Sequence, residues 1–118
     1  MVTVRVVRDR QGAVTGLTAR GHAGFAPAGE DIVCASVSAL LQTAVLGLQE
    51  RLMVPVDVHS QKGNLSLKLT VPGLPQATLD AAAVLLDSIL LGIAQIASQN
   101  PHCVRLSDPG RSSNTRGE

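Results

Sequence analysis

The apolar residues of this chain change period four times, and that switching between two and three-to-four constrains its fold more than any single motif. Val2, Val4 and Val6 alternate with Thr3 and Arg5, and beyond a polar turn at Arg8 to Gly12 an extended stretch resumes through Val14, Leu17 and Ala19. The period of two reads as a β-hairpin. The next eleven residues, Gly21 to Asp31, hold three glycines and a proline with neither period, which predicts a loop. From Ile32 to about Leu52, the apolar positions Val33, Val37, Leu40, Leu41, Ala44 and Leu48 recur at helical spacing, with Asp31 as the expected N-cap. Val54, Val56 and Val58 alternate again, and after a turn at Gln61 to Asn64 so do Leu65, Leu67, Leu69 and Val71. Leu79, Ala82, Leu86, Ile89, Ile93 and Ile96 trace one face of a second helix that stops before Pro101, and Val104 to Leu106 reads as a last short strand at a sheet edge. The order β-β-α-β-β-α-β predicts an α+β fold: a two-layer sandwich of a mostly antiparallel sheet with both helices on one face.

At 118 residues the chain has room for one core, expected over residues 1–106, and the tail 107–118 has the composition of a disordered end. A net charge of +1 supplies no overall field for polyanions, and with no Trp, no Tyr and one Phe there is no stacking platform for bases. Strong nucleic-acid binding is not expected. Cys34 and Cys103 are too few and too far apart for a disulfide framework, which points to a reducing compartment. The first ten residues carry three arginines and no apolar core of a secretory signal, and no uninterrupted apolar run approaches the ~18 residues of a membrane span. The expectation is a cytoplasmic protein without membrane contact. Leu46, Leu85 and Leu91 lie off the main apolar faces of their helices, so a homodimer using helix surface is expected.

Cys34 follows the expected N-cap by three residues, in the first helical turn, where unpaired amides and the helix dipole favour a thiolate. His22 lies twelve positions earlier, at the start of a glycine-rich loop long enough to bring its imidazole back onto the sulfur. A nucleophile-and-base pair is geometrically open; so is a small buried cysteine beside a solvent-facing histidine.

The residues around this pair carry a family signature. Gly21-His22-Ala23, Gly29, Asp31-Ile32-Val33-Cys34-Ala35 and Ser38-Ala39-Leu40 together resemble the ribosomal-processing cysteine protease family, Prp, and residues 1 to about 106 agree with it in length and element order. The resemblance implies a cysteine endopeptidase that removes an N-terminal extension from large-subunit ribosomal protein twenty-seven, with His22 and Cys34 as the catalytic dyad, and a small α/β homodimer. On that basis Cys34 is the nucleophile and His22 the base and then the acid. Backbone amides at the helix start, Cys34's included, are the expected oxyanion donors.

Asp31 has two readings, an N-cap or an orienting partner for His22, and Ser38, one turn beyond Cys34, is a secondary candidate. Phe25 either plugs a gap or touches substrate, and Gly21, Gly24 and Gly29 are expected to let the loop open and close. His59 and His102 share no metal-ligand spacing with the cysteines, so neither a metal nor any other cofactor is expected. Cys103 reads as a packed cysteine. Arg5, Arg8, Arg10 and Arg20 gather on the first hairpin, more simply as a solvated face than as an RNA contact. Two alternatives stay open: a non-catalytic ribosome-associated peptide-binding module in which Cys34 only packs, and a redox-sensing thiol paired with Cys103.

Overall fold

The computed structural model describes residues 1–21, 30–61 and 63–110, with backbone alone at Glu30 and Asp31. Strands β1 (Val2–Arg8), β2 (Val14–Arg20), β3 (Val56–Gln61), β4 (Asn64–Leu69) and β5 (Val104–Ser107) form one sheet in the order β3-β4-β2-β1-β5. Every pairing is antiparallel except β1 with β5, which is parallel. Helices α1 (Glu30–Leu46) and α2 (Gln76–Gln99) complete the expected α+β order. The segment 22–29, which carries most of the expected loop, lies outside the described residues.

The period-two pattern decides which side of the sheet the helices cover. Val2, Val4, Leu17, Ala19, Leu67 and Leu69 are buried, and they meet Val37, Leu41, Ala44 and Leu48 from one helical segment and Leu86, Leu90 and Ile93 from the other. Each fully buried aliphatic contributes about 1.5–3 kcal/mol of transfer free energy, so these faces dominate the stability of the domain. The helices run antiparallel. A Cβ built on Gly92 would stand 3.3 Å from Leu40, and one on Gly47 only 2.7 Å from Leu85 Cδ2. Leu85 is therefore half-buried in the crevice at Gly47, whereas Leu46 and Leu91 are each 57% exposed, as their off-face positions predict.

Both ends of α1 depart from expectation. The helix already begins at Glu30, so Asp31 is its second residue and not its N-cap; an acidic pair in the first turn suits the positive end of the helix dipole. At the other end the regular helix stops at Leu46 and continues as a π-helical turn, Gly47–Arg51, with the Leu52 amide donating to the Gly47 carbonyl at 3.0 Å. Met53 then takes φ +55° and the Val54 amide returns to the Leu48 carbonyl at 2.8 Å, which burys Leu48 and Val54 on either side of the reversal.

The C-terminal boundary also moves. Ser107 is the last residue of β5, and Asp108, its side chain only 1% exposed, is held by Arg8 through Nε at 2.8 Å and Nη2 at 2.9 Å. The Gly110 amide donates to the same carboxylate at 2.9 Å. Residues 107–110 thus belong to the folded domain, contrary to the expected tail, because a partner a hundred residues away in sequence stabilises them; 111–118 lie outside the described residues. The hydrogen bond to Asp108 is the main cause holding the Arg8 pKa above its ordinary value, against the opposing effect of burial, and Asp87 adds a second, exposed carboxylate at 3.3 Å.

Counting uninterrupted apolar runs understates the helices. Ile32–Arg51 and Gln76–Gln99 are long and apolar enough to cross a membrane by length and composition, with mean hydropathies of 1.7 and 1.8. Part of that apolarity is the core face just described; the remainder, including Leu46, Val84 and Leu91, is exposed in the single chain.

Candidate active site

The backbone on either side of segment 22–29 is held firmly. β2 delivers the chain to Gly21, whose φ of +91° favours glycine, and whose amide donates to the Gly63 carbonyl at 2.8 Å. A Cβ at this position would stand 2.3 Å from the Met1 carbonyl oxygen. Gly21 is thus the point where the chain leaves the sheet, held by that hydrogen bond and with no room for a side chain. Gly63, itself at φ +83° in the turn expected at Gln61 to Asn64, is its buttress, and the contact joins two different hairpins.

On the far side of the segment, Cys34 is the fifth residue of α1, half-buried and packed beside Val33 against the core. A helix that begins at Glu30 directs the Cys34 amide to the Glu30 carbonyl, so this N–H is not an orphan donor. The expectation that it serves an oxyanion hole fails for that reason; the amides ahead of it in the first turn are the ones without intrahelical acceptors. Neither cysteine is in a disulfide.

Around Cys34 the helix surface is mixed, with Ile32 71% exposed, and two side-chain hydrogen bonds run along its axis. Ser38, half-buried one turn beyond the thiol, accepts from Gln42 Nε2 at 3.1 Å, and the Ser36 hydroxyl donates to the Ile32 carbonyl at 2.9 Å. Gln42 was not singled out in the sequence; its spacing of four from Ser38 was the available signal. His22, Gly24, Phe25 and Gly29 lie outside the described residues, as does the side chain of Asp31. What the structure places is therefore the two flanks of segment 22–29: the strand exit at Gly21 and the helix that carries Cys34 and Ser38.

The remaining candidates fall elsewhere. Cys103 is buried where the turn after α2 enters β5, its carbonyl accepting the Val2 amide at 2.7 Å. His59 is exposed on β3 and His102 is exposed beside Cys103. No group of three or more His, Cys, Asp or Glu side chains comes together in a metal-binding arrangement among the described residues.

The described residues form a one-sheet, two-helix domain with a half-buried thiol near the start of its first helix, directly after a glycine-rich segment of the sequence. The family profile described as cysteine protease Prp matches residues 1–105, and the chain belongs to that family; its activity class is that of a cysteine protease. Among solved structures, the ribosomal processing protease Prp from Staphylococcus aureus with a substrate peptide superposes with a TM-score of 0.81 at 24% identity, covering 92% of this chain and 99% of that one. A second structure of that protease, with a covalently linked product peptide, gives a TM-score of 0.75 at 24% identity over the same shares. A protein from Streptococcus mutans gives 0.79 at 25% identity, covering 92% of this chain and 93% of that one. No curated protein matches the chain by sequence.

Proposed function

We propose that this protein is an endopeptidase that removes an N-terminal extension from large-subunit ribosomal protein twenty-seven, with Cys34 as nucleophile and His22 as its base. The observation that carries the reading is the family match across residues 1–105 together with the placement of Cys34, half-buried and one turn inside α1, directly after the segment that contains His22. The similar Staphylococcus aureus protease was solved with a substrate peptide and with a covalently linked product peptide, which supports peptide cleavage through a covalent step.

In this reading His22 takes the thiol proton as the Cys34 sulfur attacks the scissile carbonyl carbon. Amides of the first turn of α1 ahead of Cys34 stabilise the oxyanion, helped by the positive end of the helix dipole. The C–N bond then breaks, the leaving amine receives the proton from His22, and a thioester remains on Cys34. Water, deprotonated by His22, attacks that thioester; the carboxylate product leaves and the thiol is restored. Asp31, in the same first turn, is a positioning candidate for His22, and Ser38 supports the Cys34 face of the helix.

The protein acts in the cytoplasm as a homodimer. The exposed Leu46, Val84 and Leu91 on the helical layer supply apolar surface for a second copy, and light scattering at micromolar concentration checks the assembly. The decisive experiment mixes the protein with its host's full-length ribosomal protein twenty-seven and follows intact masses. Loss of a defined N-terminal peptide, abolished by Cys34→Ala and by His22→Ala, is the expected result. A precursor that carries an extension and is bound but left intact would return the peptide-binding module as the better account.

A further inference from the structure

The sheet has a second face, and its chemistry is unlike that of the first. The residues that point away from the helices form three cross-strand rows, fixed by the pairing register. One row runs Arg105, Thr3, Arg20 and Asn64; the next, Ser107, Arg5, Thr18, Ser66 and His59; the third, Val7, Gly16, Lys68 and Asp57. No element of the described structure packs on this side.

Arg5, Arg20, Lys68 and Arg105 are all exposed, and none forms an ion pair or hydrogen bond among the described residues. Asp57, directly opposite Lys68, is the one carboxylate in the rows. The face therefore carries a local +3 in a chain whose net charge is only +1. The arginines of the first hairpin, adjacent in sequence, separate here: Arg8 is neutralised by Asp108 and Asp87, while Arg5 and Arg20 stand on the open face. Arg20 and Arg5 are diagonal neighbours on paired strands, about 7–8 Å apart at the backbone. Between them lies a depression of about 430 Å³ lined by Thr3, Arg5, Thr18 and Arg20. It adjoins a second of about 290 Å³ that shares Thr18 and Arg20 and extends to Ser66 and His59.

We propose that this open sheet face docks duplex RNA through its phosphate and ribose backbone, independently of peptide cleavage. Charge selects a polyanion, and four cations spread across four strands match a repeating phosphate array. The intervening Thr3, Thr18 and Ser66 hydroxyls suit phosphate oxygens and the 2′-hydroxyls of a wide, shallow minor groove. The face has no Phe, Tyr or Trp, and its one imidazole, His59, stands alone on the edge strand β3, so a platform for successive unstacked bases is missing and a regular backbone is the better ligand. An extended peptide is poorly served: these strands are paired on both sides at β2 and β1, and only Val7 among the outward residues offers an apolar contact.

The test is fluorescence anisotropy of a short labelled RNA duplex titrated with the full chain at several salt concentrations. Binding is expected to weaken with salt at a log–log slope of about −3 to −4 for four cations, and each of Arg5→Gln, Arg20→Gln and Arg105→Gln is expected to reduce that slope by about 1, irrespective of duplex sequence. Arg10→Gln, an exposed change in the hairpin turn off this face, is expected to leave the slope unaltered, and Cys34→Ala is expected to bind RNA normally. Failure of cleavage with RNA binding intact would thus overturn only the protease reading. Absence of binding at low salt overturns the proposal, as does equal binding of the matching DNA duplex or stronger binding of an acidic peptide. So does a rise in KM for the precursor peptide in the arginine variants without RNA binding, which would assign the face to substrate.

Discussion

Cys34 and Cys103 are the same side chain in opposite settings. Cys34 is half-buried near the start of a helix, next to a segment rich in glycine, while Cys103 is buried behind the turn into β5, its backbone tied to Val2 and Asn100. The first follows the segment that carries His22, whereas the second is enclosed by the core beside the edge strand. The difference teaches that a nucleophile is made by its place in the backbone, since neither cysteine owes its character to sequence neighbours alone. The largest test is Cys34→Ala, expected to lower peptidase activity by at least ~10³-fold. Its thermal stability is expected to change little, because the side chain is only partly buried. A Cys34→Ala enzyme with most of its activity would remove the contrast altogether.

The second test attacks the setting of Cys103. Arg8 closes the edge strand by its two-pronged contact with Asp108, and Arg8→Ala leaves a buried carboxylate without that cation, expected to cost about 3 kcal/mol. Chemical denaturation reads the loss, and iodoacetamide labelling followed by mass spectrometry reads its location: Cys103 is expected to become reactive under native conditions as β5 loosens. Because Arg8 has a raised pKa, its contribution is fully present below the unfolded-state value and is lost only at pH above the folded one, beyond any ordinary working range. The stability from this pair is therefore expected to stay flat from neutral pH through moderate alkali.

How far the sequence revealed these settings follows from the range of the contacts involved. Strand and helix identity rest on periods of two and three-to-four, which are local, and the order, the antiparallel hairpins and the edge position of β5 were all legible from Val2 to Leu106. Cys34 near a helix start was legible too. Its amide was not, because one or two residues at the helix boundary decide whether an N–H is an orphan or is bonded to Glu30. The ordered Ser107 to Gly110 depend on Arg8, and the need for glycine at position 21 depends on Met1 and Gly63. No local pattern encodes partners so distant.

Gly21 provides the third test, at the entrance to the segment before Cys34. Any side chain there meets the Met1 carbonyl, a backbone atom that cannot rotate away, at a φ that L residues rarely adopt. Gly21→Ala is expected to destabilise the domain by about 2 kcal/mol, and to lower activity beyond what unfolding explains, since the strand exit leads directly into His22. Gly12→Ala is the control. It shares the positive φ but has open space for a Cβ, so only the conformational part of the penalty, about 1 kcal/mol, is expected, with activity per folded molecule unchanged.

The smallest effect is expected at Cys103→Ala. Removing one buried sulfur from beneath β5 leaves a small void and is expected to cost about 1 kcal/mol in denaturation, with kcat/KM unaltered. The variant also separates the roles of the two thiols under oxidation. If Cys103 were a resolving partner, mild peroxide would inactivate the original protein reversibly through a Cys34–Cys103 disulfide and would over-oxidise Cys34 in the variant. The burial of Cys103 predicts the same peroxide sensitivity in both proteins, because the oxidised Cys34 sulfur must find its thiol in solution. A clear difference between them would mean that the core around β5 opens far enough for the two cysteines to meet, and their settings would then be two states of one device.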